Sequence, residues 1–210
     1  MPREGPVGLR ATANGGTVNP CAGKSAEAGG PDNAVLQDRR RILVVGSGGA
    51  GKSTFARALA ARTGLPLIHL DRHFWKPGWT PTPRDEWIDR VRDLSRGDSW
   101  IIDGNYGSSL SIRVQRCDAI VFFDLPRLMC VQGILQRRLA HQFTPRWDLA
   151  EGCPERLDLE FIRWVWDFRR KSRPRLLSVI EKAGPTVRVQ TITRRVHARA
   201  LLNALREAHG

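Results

Sequence analysis

Ile42-Leu43-Val44-Val45 runs straight into Gly46-Ser47-Gly48-Gly49-Ala50-Gly51-Lys52-Ser53, and an amphipathic stretch from Ser53 to Arg62 follows before Gly64. An apolar run, a glycine-rich turn and a helix in that order satisfy G-x-x-x-x-G-K-[ST] in the context that gives the pattern meaning. The glycines let successive backbone N–H groups converge on one anion, and the helix start adds partial positive charge at the same point. Gly46, Ser47, Gly48, Gly49, Ala50, Gly51, Lys52, Ser53 and Thr54 are therefore expected to hold nucleotide phosphates. In such a loop Lys52 reaches the β- and γ-phosphates and the Ser53 hydroxyl ligates Mg²⁺, so ATP and Mg²⁺ are the implied cofactors.

Downstream of this unit, short apolar runs alternate with amphipathic stretches, the signature of βα units around a parallel sheet. The sequence predicts strands at Leu65 to Leu70, Trp100 to Asp103, Ala119 to Leu125 and Thr186 to Ile192, in addition to the first at Ile42 to Val45. Helices are expected from Thr82-Pro83, with Thr82 as N-cap, to about Ser95, around Arg113 and Arg116, from Pro126 to about Gln142, and from Asp158 to about Lys171. A further helix ends near Ala183-Gly184, and the last runs from Thr193 to about Ala208. The expected fold class is α/β: a three-layer phosphate-loop NTPase fold, a five-stranded parallel sheet with helices on both faces and a helical Arg-rich lid.

Residues 1 to 38 hold 7 Gly, 4 Pro and no aromatic residue, with no apolar periodicity, and predict a disordered tail ahead of a domain spanning 39 to 210. Across the 210 residues, 34 Lys+Arg against 21 Asp+Glu leave a net charge of +13, carried by 29 Arg and only 5 Lys. Arginine grips phosphate oxygens in bidentate fashion, so the charge implies a polyanionic ligand, nucleotide or nucleic acid. At 41% hydrophobic residues, wholesale disorder is excluded. No run reaches the about 18 apolar residues of a membrane span, and no signal sequence is visible, so a cytoplasmic protein is expected. Cys21, Cys117, Cys130 and Cys153 share no metal or disulfide spacing and read as reduced thiols. A monomer is the favoured state.

Asp103 ends the third strand and Asp71 the second, both at the carboxyl edge where open α/β sheets bind ligands. Asp103 suits a Mg²⁺-bound water; Asp71 suits a general base or the orienting of an acceptor hydroxyl, with plain turn formation as the bland alternative for each. Asp124 reads as structural, and His69 and His73 as substrate contacts or bland neighbours. Residues 137 to 175 carry 10 basic and 6 acidic side chains. Their paired clusters, Arg137-Arg138 and Arg169-Arg170, bracket the irregular Phe143 to Pro154 piece as stems of a flap, from which arginines swing onto phosphates. Trp75 and Trp79 could wall a ring-bearing ligand or simply cap the core.

Together, GSGGAGKST, HLDRHFWKPGW, WIIDGNY, FFDLPR, EGCPERLDLEFIRWVW and KSRPR resemble the adenylate kinase-related P-loop proteins, most closely the DNA topology-modulation protein group. The resemblance spans Arg41 to about Ala208 and implies a nucleoside-monophosphate-kinase-like fold with an acceptor region after the second strand. Lys52 and Ser53 match the family's phosphate and Mg²⁺ residues. Asp103 matches the Asp of the adenylate kinase D-G-F-P-R strand end, but here the text continues Gly104-Asn105-Tyr106-Gly107, and Arg113 is the candidate to replace the missing arginine. The leading function is an ATP-dependent phosphotransferase acting on a small acceptor, a nucleotide or related molecule. The alternatives are an ATP-dependent nucleic-acid-binding or regulatory protein, and a simple ATPase.

Overall fold

A computed structural model describes residues 35–140, 148–150, 152–153 and 159–207. Five strands, β1 (Arg41–Gly46), β2 (Leu67–His69), β5 (Trp100–Asp103), β6 (Ala119–Phe123) and β7 (Arg188–Ile192), form one parallel sheet in the order β2-β5-β1-β6-β7. The two remaining strands, β3 (Trp75–Lys76) and β4 (Thr80–Pro81), make a small antiparallel hairpin. Period-2 alternation sends Ile42, Val44, Val121 and Phe123 into one core and Leu43, Val45, Ile102, Ile120 and Phe122 into a second. Over the first face lie α1 (Lys52–Thr63), α5 (Arg127–Ala140), α6 (Leu159–Lys171) and α8 (Arg195–Glu207). The second is covered by α3 (Arg84–Leu94), α4 (Gly107–Val114) and α7 (Arg173–Glu181), and a short α2 (Leu70–Phe74) leads from β2 into the hairpin. This is the expected three-layer α/β architecture, with β1 at its centre.

Several local expectations shift. Val35 and Leu36 are 4% and 2% exposed and belong to the first core, so the folded part starts inside the stretch expected to be tail; residues 1 to 34 lie outside the described residues. Strand β2 stops at His69, because Leu70 already turns into α2 and buries its side chain in the second core. Thr82 does not cap α3. Pro83 holds the N-cap position, while the Thr82 hydroxyl donates to the Phe74 carbonyl at 2.6 Å and ties the two arms of the hairpin together. The C-terminal Gly64 of α1 behaves as expected, left-handed with its N–H bonded to the Ala60 carbonyl at 2.9 Å.

The lid expected over 137 to 175 is reduced. Helix α6 inserts Val165 into the first core and α7 inserts Leu176 and Ile180 into the second, so both belong to the body of the domain. What separates α5 from α6 lies mostly outside the described residues. Its described part rests on the hairpin: the Gly78 N–H donates to the Gly152 carbonyl at 3.0 Å and the Cys153 thiol to the Lys76 carbonyl at 3.4 Å.

Candidate active site

The loop between β1 and α1 is shaped by close backbone approach. Gly49 has φ of +72°, and a Cβ there would sit 2.0 Å from the Cys130 carbonyl oxygen of α5. A Cβ on Gly133, one turn further along α5, would meet the Gly49 carbonyl oxygen at 2.1 Å. The loop and α5 are thus pressed backbone to backbone, which only paired glycines allow. Gly51 precedes α1 without a side-chain cap, and no acidic residue occupies the first turn. The α1 amides therefore start the helix with no carboxylate of its own first turn to cap them. Lys52 folds back over the loop, its Nζ donating to the Ser47 carbonyl at 2.8 Å. Burial lowers the Lys52 pKa from its ordinary value, and the carboxylates of Asp103 and Asp71 oppose that shift.

The turn after β5 ties the two ends of the cleft together. The Asn105 carboxamide clasps Gly46 from both sides, Oδ1 accepting from its N–H at 2.8 Å and Nδ2 donating to its carbonyl at 2.6 Å. Tyr106, left-handed at φ of +38°, turns its hydroxyl to donate to Asp71 Oδ1 at 2.5 Å. Beneath them the Arg113 guanidinium, fully buried, donates to the carbonyls of Gly104 at 2.9 Å, of Tyr106 at 3.2 Å and of Asn105. Desolvation drags the Arg113 pKa down to about 9. Arg113 is therefore a brace under the turn. The expectation that it meets an acceptor phosphate is corrected: its donors are committed to backbone, and it does not line the cleft.

Parallel register places His69 opposite Asp103, and His69 Nδ1 lies 3.0 Å from Asp103 Oδ2, both side chains buried. The other oxygen, Asp103 Oδ1, is buried without a hydrogen-bond partner. An orphaned carboxylate oxygen on the strand beside β1, facing the cleft that Ser53 also lines, fits a hard cation bound through oxygen donors. Among the described residues no group of three or more His, Cys, Asp or Glu side chains could by itself hold a metal ion. Asp71 is flanked by rings. Phe74 and Tyr106 lie 4.6 Å apart between centroids, and Trp75 and Trp79 meet edge to face at 5.4 Å. Burial, then the Asp71 charge, raise the Tyr106 pKa well above its ordinary value, so the phenol remains a donor.

A single cleft of about 820 Å³ joins these parts, large enough for a nucleotide and a second small molecule. Among the described residues its basic lining is one-sided. Lys52, Arg137 of α5, and Arg195 and Arg199 of α8 face it along the β1, β6 and β7 side, where Phe161 and Trp164 of α6 also line it. The β2 and β5 side presents Asp71, Asp103, Phe74, Trp75, Trp79 and Tyr106. All of Gly48 to Thr54 line the cleft, as do Asp71 and Asp103; Gly46 and Ser47 support the loop from behind. Of the arginine pairs only Arg137 lines it. Arg138 does not, and Arg169 and Arg170 are exposed, with Arg169 Nε 3.7 Å from Asp124 Oδ1. The stem-and-flap arrangement of the two pairs is corrected accordingly. Asp124 is structural as expected, held by Arg173 Nε at 3.0 Å and Nη2 at 2.8 Å.

Sequence reading passed over Gly133, Arg195 and Arg199, gave Asn105 no role, and left His69 as a substrate contact or a bland neighbour. His69 carried a signal, since it closes a strand that ends level with Asp103; Arg195 and Arg199 sit four apart, one helical turn, at the start of α8. No family model matches the sequence, and no curated protein does. Among solved structures, the chain is similar to a shikimate kinase from Bacteroides thetaiotaomicron, with a TM-score of 0.50 and 18% identity over 81% of this chain and 98% of that one. A shikimate kinase from Acinetobacter baumannii in complex with shikimate gives 0.49 and 15% over 84% and 96%. A gluconokinase from Sinorhizobium meliloti 1021 gives 0.46 and 15% over 80% and 93%. The chain thus shares the P-loop α/β fold, five parallel strands with flanking helices, of the first of these structures.

Proposed function

We propose that the protein is an ATP-dependent phosphotransferase that moves the γ-phosphoryl group to a hydroxyl of a small acceptor. The observation that carries this reading is the pairing, in one cleft, of a phosphate loop with Asp71, a carboxylate held by the Tyr106 hydroxyl on the opposite side. In the transfer, Asp71 takes the acceptor hydroxyl proton as the oxygen bonds to the γ-phosphorus, the bond to the β-γ bridging oxygen breaks, and ADP leaves. Lys52 releases the Ser47 carbonyl to meet the phosphates, and the α1 amides bind them. Ser53 and Asp103 would hold Mg²⁺, which would neutralise phosphate charge there. His69 holds Asp103 by its other oxygen, and Arg137, Arg195 and Arg199 add charge on the nucleotide side.

A nucleoside monophosphate acceptor, which the resemblance to adenylate kinases favours, needs a cation for its own phosphate. Arg113 was its candidate, and its donors are spent on the Gly104, Asn105 and Tyr106 carbonyls, which favours the hydroxyl reading. The test is ADP release from ATP and Mg²⁺ against a panel of hydroxyl compounds, with a no-acceptor control. An acceptor that raises release establishes the transfer, and Asp71→Asn then lowers kcat by about 10³-fold, the scale of general-base catalysis, with ATP affinity retained. Release unaltered by any acceptor sinks the transfer and leaves an ATPase.

A further inference from the structure

His69 and Asp103 stand opposite each other in the register of β2 and β5 and are 7% and 5% exposed. The chain fixes the backbone on both sides of this pair. Leu70, directly after His69, is buried in the second core. Gly104, directly after Asp103, approaches it so closely that a Cβ there would sit 2.9 Å from the Leu70 Cβ. The Gly104 N–H also donates to the Val44 carbonyl at 3.2 Å, which pins the end of β5 to β1. An ionised carboxylate oxygen only accepts, so the His69 Nδ1 that lies 3.0 Å from Asp103 Oδ2 donates to it. One oxygen of Asp103 is thereby committed within the protein. The other, Oδ1, is buried with no hydrogen-bond partner, in the cleft that Lys52 and Ser53 also line.

Hard cations differ in how they use a carboxylate. Mg²⁺ demands about six oxygens in near-octahedral order and keeps several waters, whereas Ca²⁺ takes about seven in looser order and accepts both oxygens of one carboxylate. A carboxylate with one oxygen bound by an imidazole has a single donor to offer, in a fixed orientation. We infer that His69 is a positioning residue that sets the metal preference of the site: by holding Asp103 Oδ2 it leaves one carboxylate oxygen for the cation, directly or through a bound water, and so selects Mg²⁺ over Ca²⁺. The inference rests on the phosphotransferase reading for the presence of a nucleotide and its cation at this site, and not on the transfer step.

The experiment reads binding rather than turnover. The full chain is titrated calorimetrically with a non-hydrolysable ATP analogue in saturating Mg²⁺, in saturating Ca²⁺ and without metal, the last serving as the reference for each variant. The parent binds the Mg²⁺ complex more tightly than the Ca²⁺ complex, by about tenfold or more. His69→Leu frees Oδ2 and shrinks that ratio by about tenfold, the scale on which the partners of metal-binding groups act. His69→Asn carries an amide nitrogen near the place of Nδ1 and restores most of the ratio, while His69→Gln carries its amide near the place of Nε2 and does not. A parent that binds both complexes equally overturns the inference, and so does a folded His69→Leu variant with the parent's ratio. Should His69→Leu fail to fold, the Asn and Gln variants decide alone: equal ratios in the two overturn it. An analogue that does not bind, or binds equally with and without metal, also overturns it. Phosphoryl transfer from ATP to the panel of hydroxyl compounds, measured in parallel, separates the two readings. A Mg²⁺ preference that depends on His69, without transfer to any acceptor, keeps the inference and removes the phosphotransferase reading; transfer with a preference indifferent to His69 does the reverse.

Discussion

The two sides of the cleft are built in different ways. The phosphate loop of the nucleotide side is one stretch of nine residues, Gly46 to Thr54, and its anion affinity comes from backbone N–H groups together with Lys52. The acceptor side is assembled from His69 to Trp79, Asp103 to Tyr106 and Asp148, with its specificity in side chains. One half is therefore generic to a fold and the other particular to this chain. The β5-α4 turn joins them, Asn105 holding Gly46 on one side and Tyr106 holding Asp71 on the other, with Arg113 beneath both.

Removing the charge from the generic half gives the largest expected effect. Lys52→Ala lowers kcat/KM by about 10⁴-fold, the scale of a cation that stabilises the transferred phosphoryl group. The apo protein keeps its Tm within about 3 °C, because the lost ammonium leaves only the Ser47 carbonyl to rebond with water. Turnover within tenfold of the parent removes the phosphate loop from the reaction and dissolves the distinction between the two sides.

The joint is tested by Arg113→Met. Four backbone carbonyls, of Gly104, Asn105, Tyr106 and Ser109, lose their shared donor, and stability falls by about 3 kcal/mol in denaturant unfolding. If the turn couples the two sides, the KM for ATP and the KM for the acceptor both rise, by about tenfold each at a temperature where the variant is folded. A loss of stability with both constants unchanged reduces Arg113 to a purely structural brace.

The smallest effect is one of pH. The free-enzyme pKa of Lys52 lies below its ordinary value of 10.5, so the ammonium loses its proton earlier as pH rises. In the profile of kcat/KM for ATP an alkaline limb is therefore expected below pH 10.5, each further pH unit costing up to about tenfold. The Tyr106 pKa lies well above 10.0, so the profile for the acceptor gains no limb from the phenol over that range. A limb that appears in the acceptor profile alone would reverse the assignment of the two sides. The same lowering means that the unfolded chain binds more protons just below pH 10.5, so the Lys52 contribution to stability rises with pH in that window.

Much of the fold could be read from residue order. The five apolar runs at the sheet, the helix after Lys52 and its end at Gly64 all follow from periodicity and turn chemistry. Errors arose where a distant partner outbid local preference. Thr82 makes a sound N-cap on paper, yet its hydroxyl is drawn to the Phe74 carbonyl across the hairpin. Arg169 and Arg170 look like phosphate ligands because they are paired and basic, yet helical geometry and the burial of Val165 turn them outward. Arg113 was recognised as important for the wrong reason: no local pattern reveals that a guanidinium will be fully buried among four carbonyls.

Residue order alone carries the phosphate loop, the parallel α/β order and Asp103 at the end of its strand, because each depends on chemistry confined to a few neighbouring residues. How Asp103 and Asp71 are held follows from tertiary packing. The strand order β2-β5-β1 sets His69 beside Asp103, the left-handed turn at Tyr106 delivers its hydroxyl to Asp71, and α5 and α8 bring Arg137, Arg195 and Arg199 to one side of the cleft. These placements come from packing between segments far apart in the sequence, and no local propensity encodes a contact at that range.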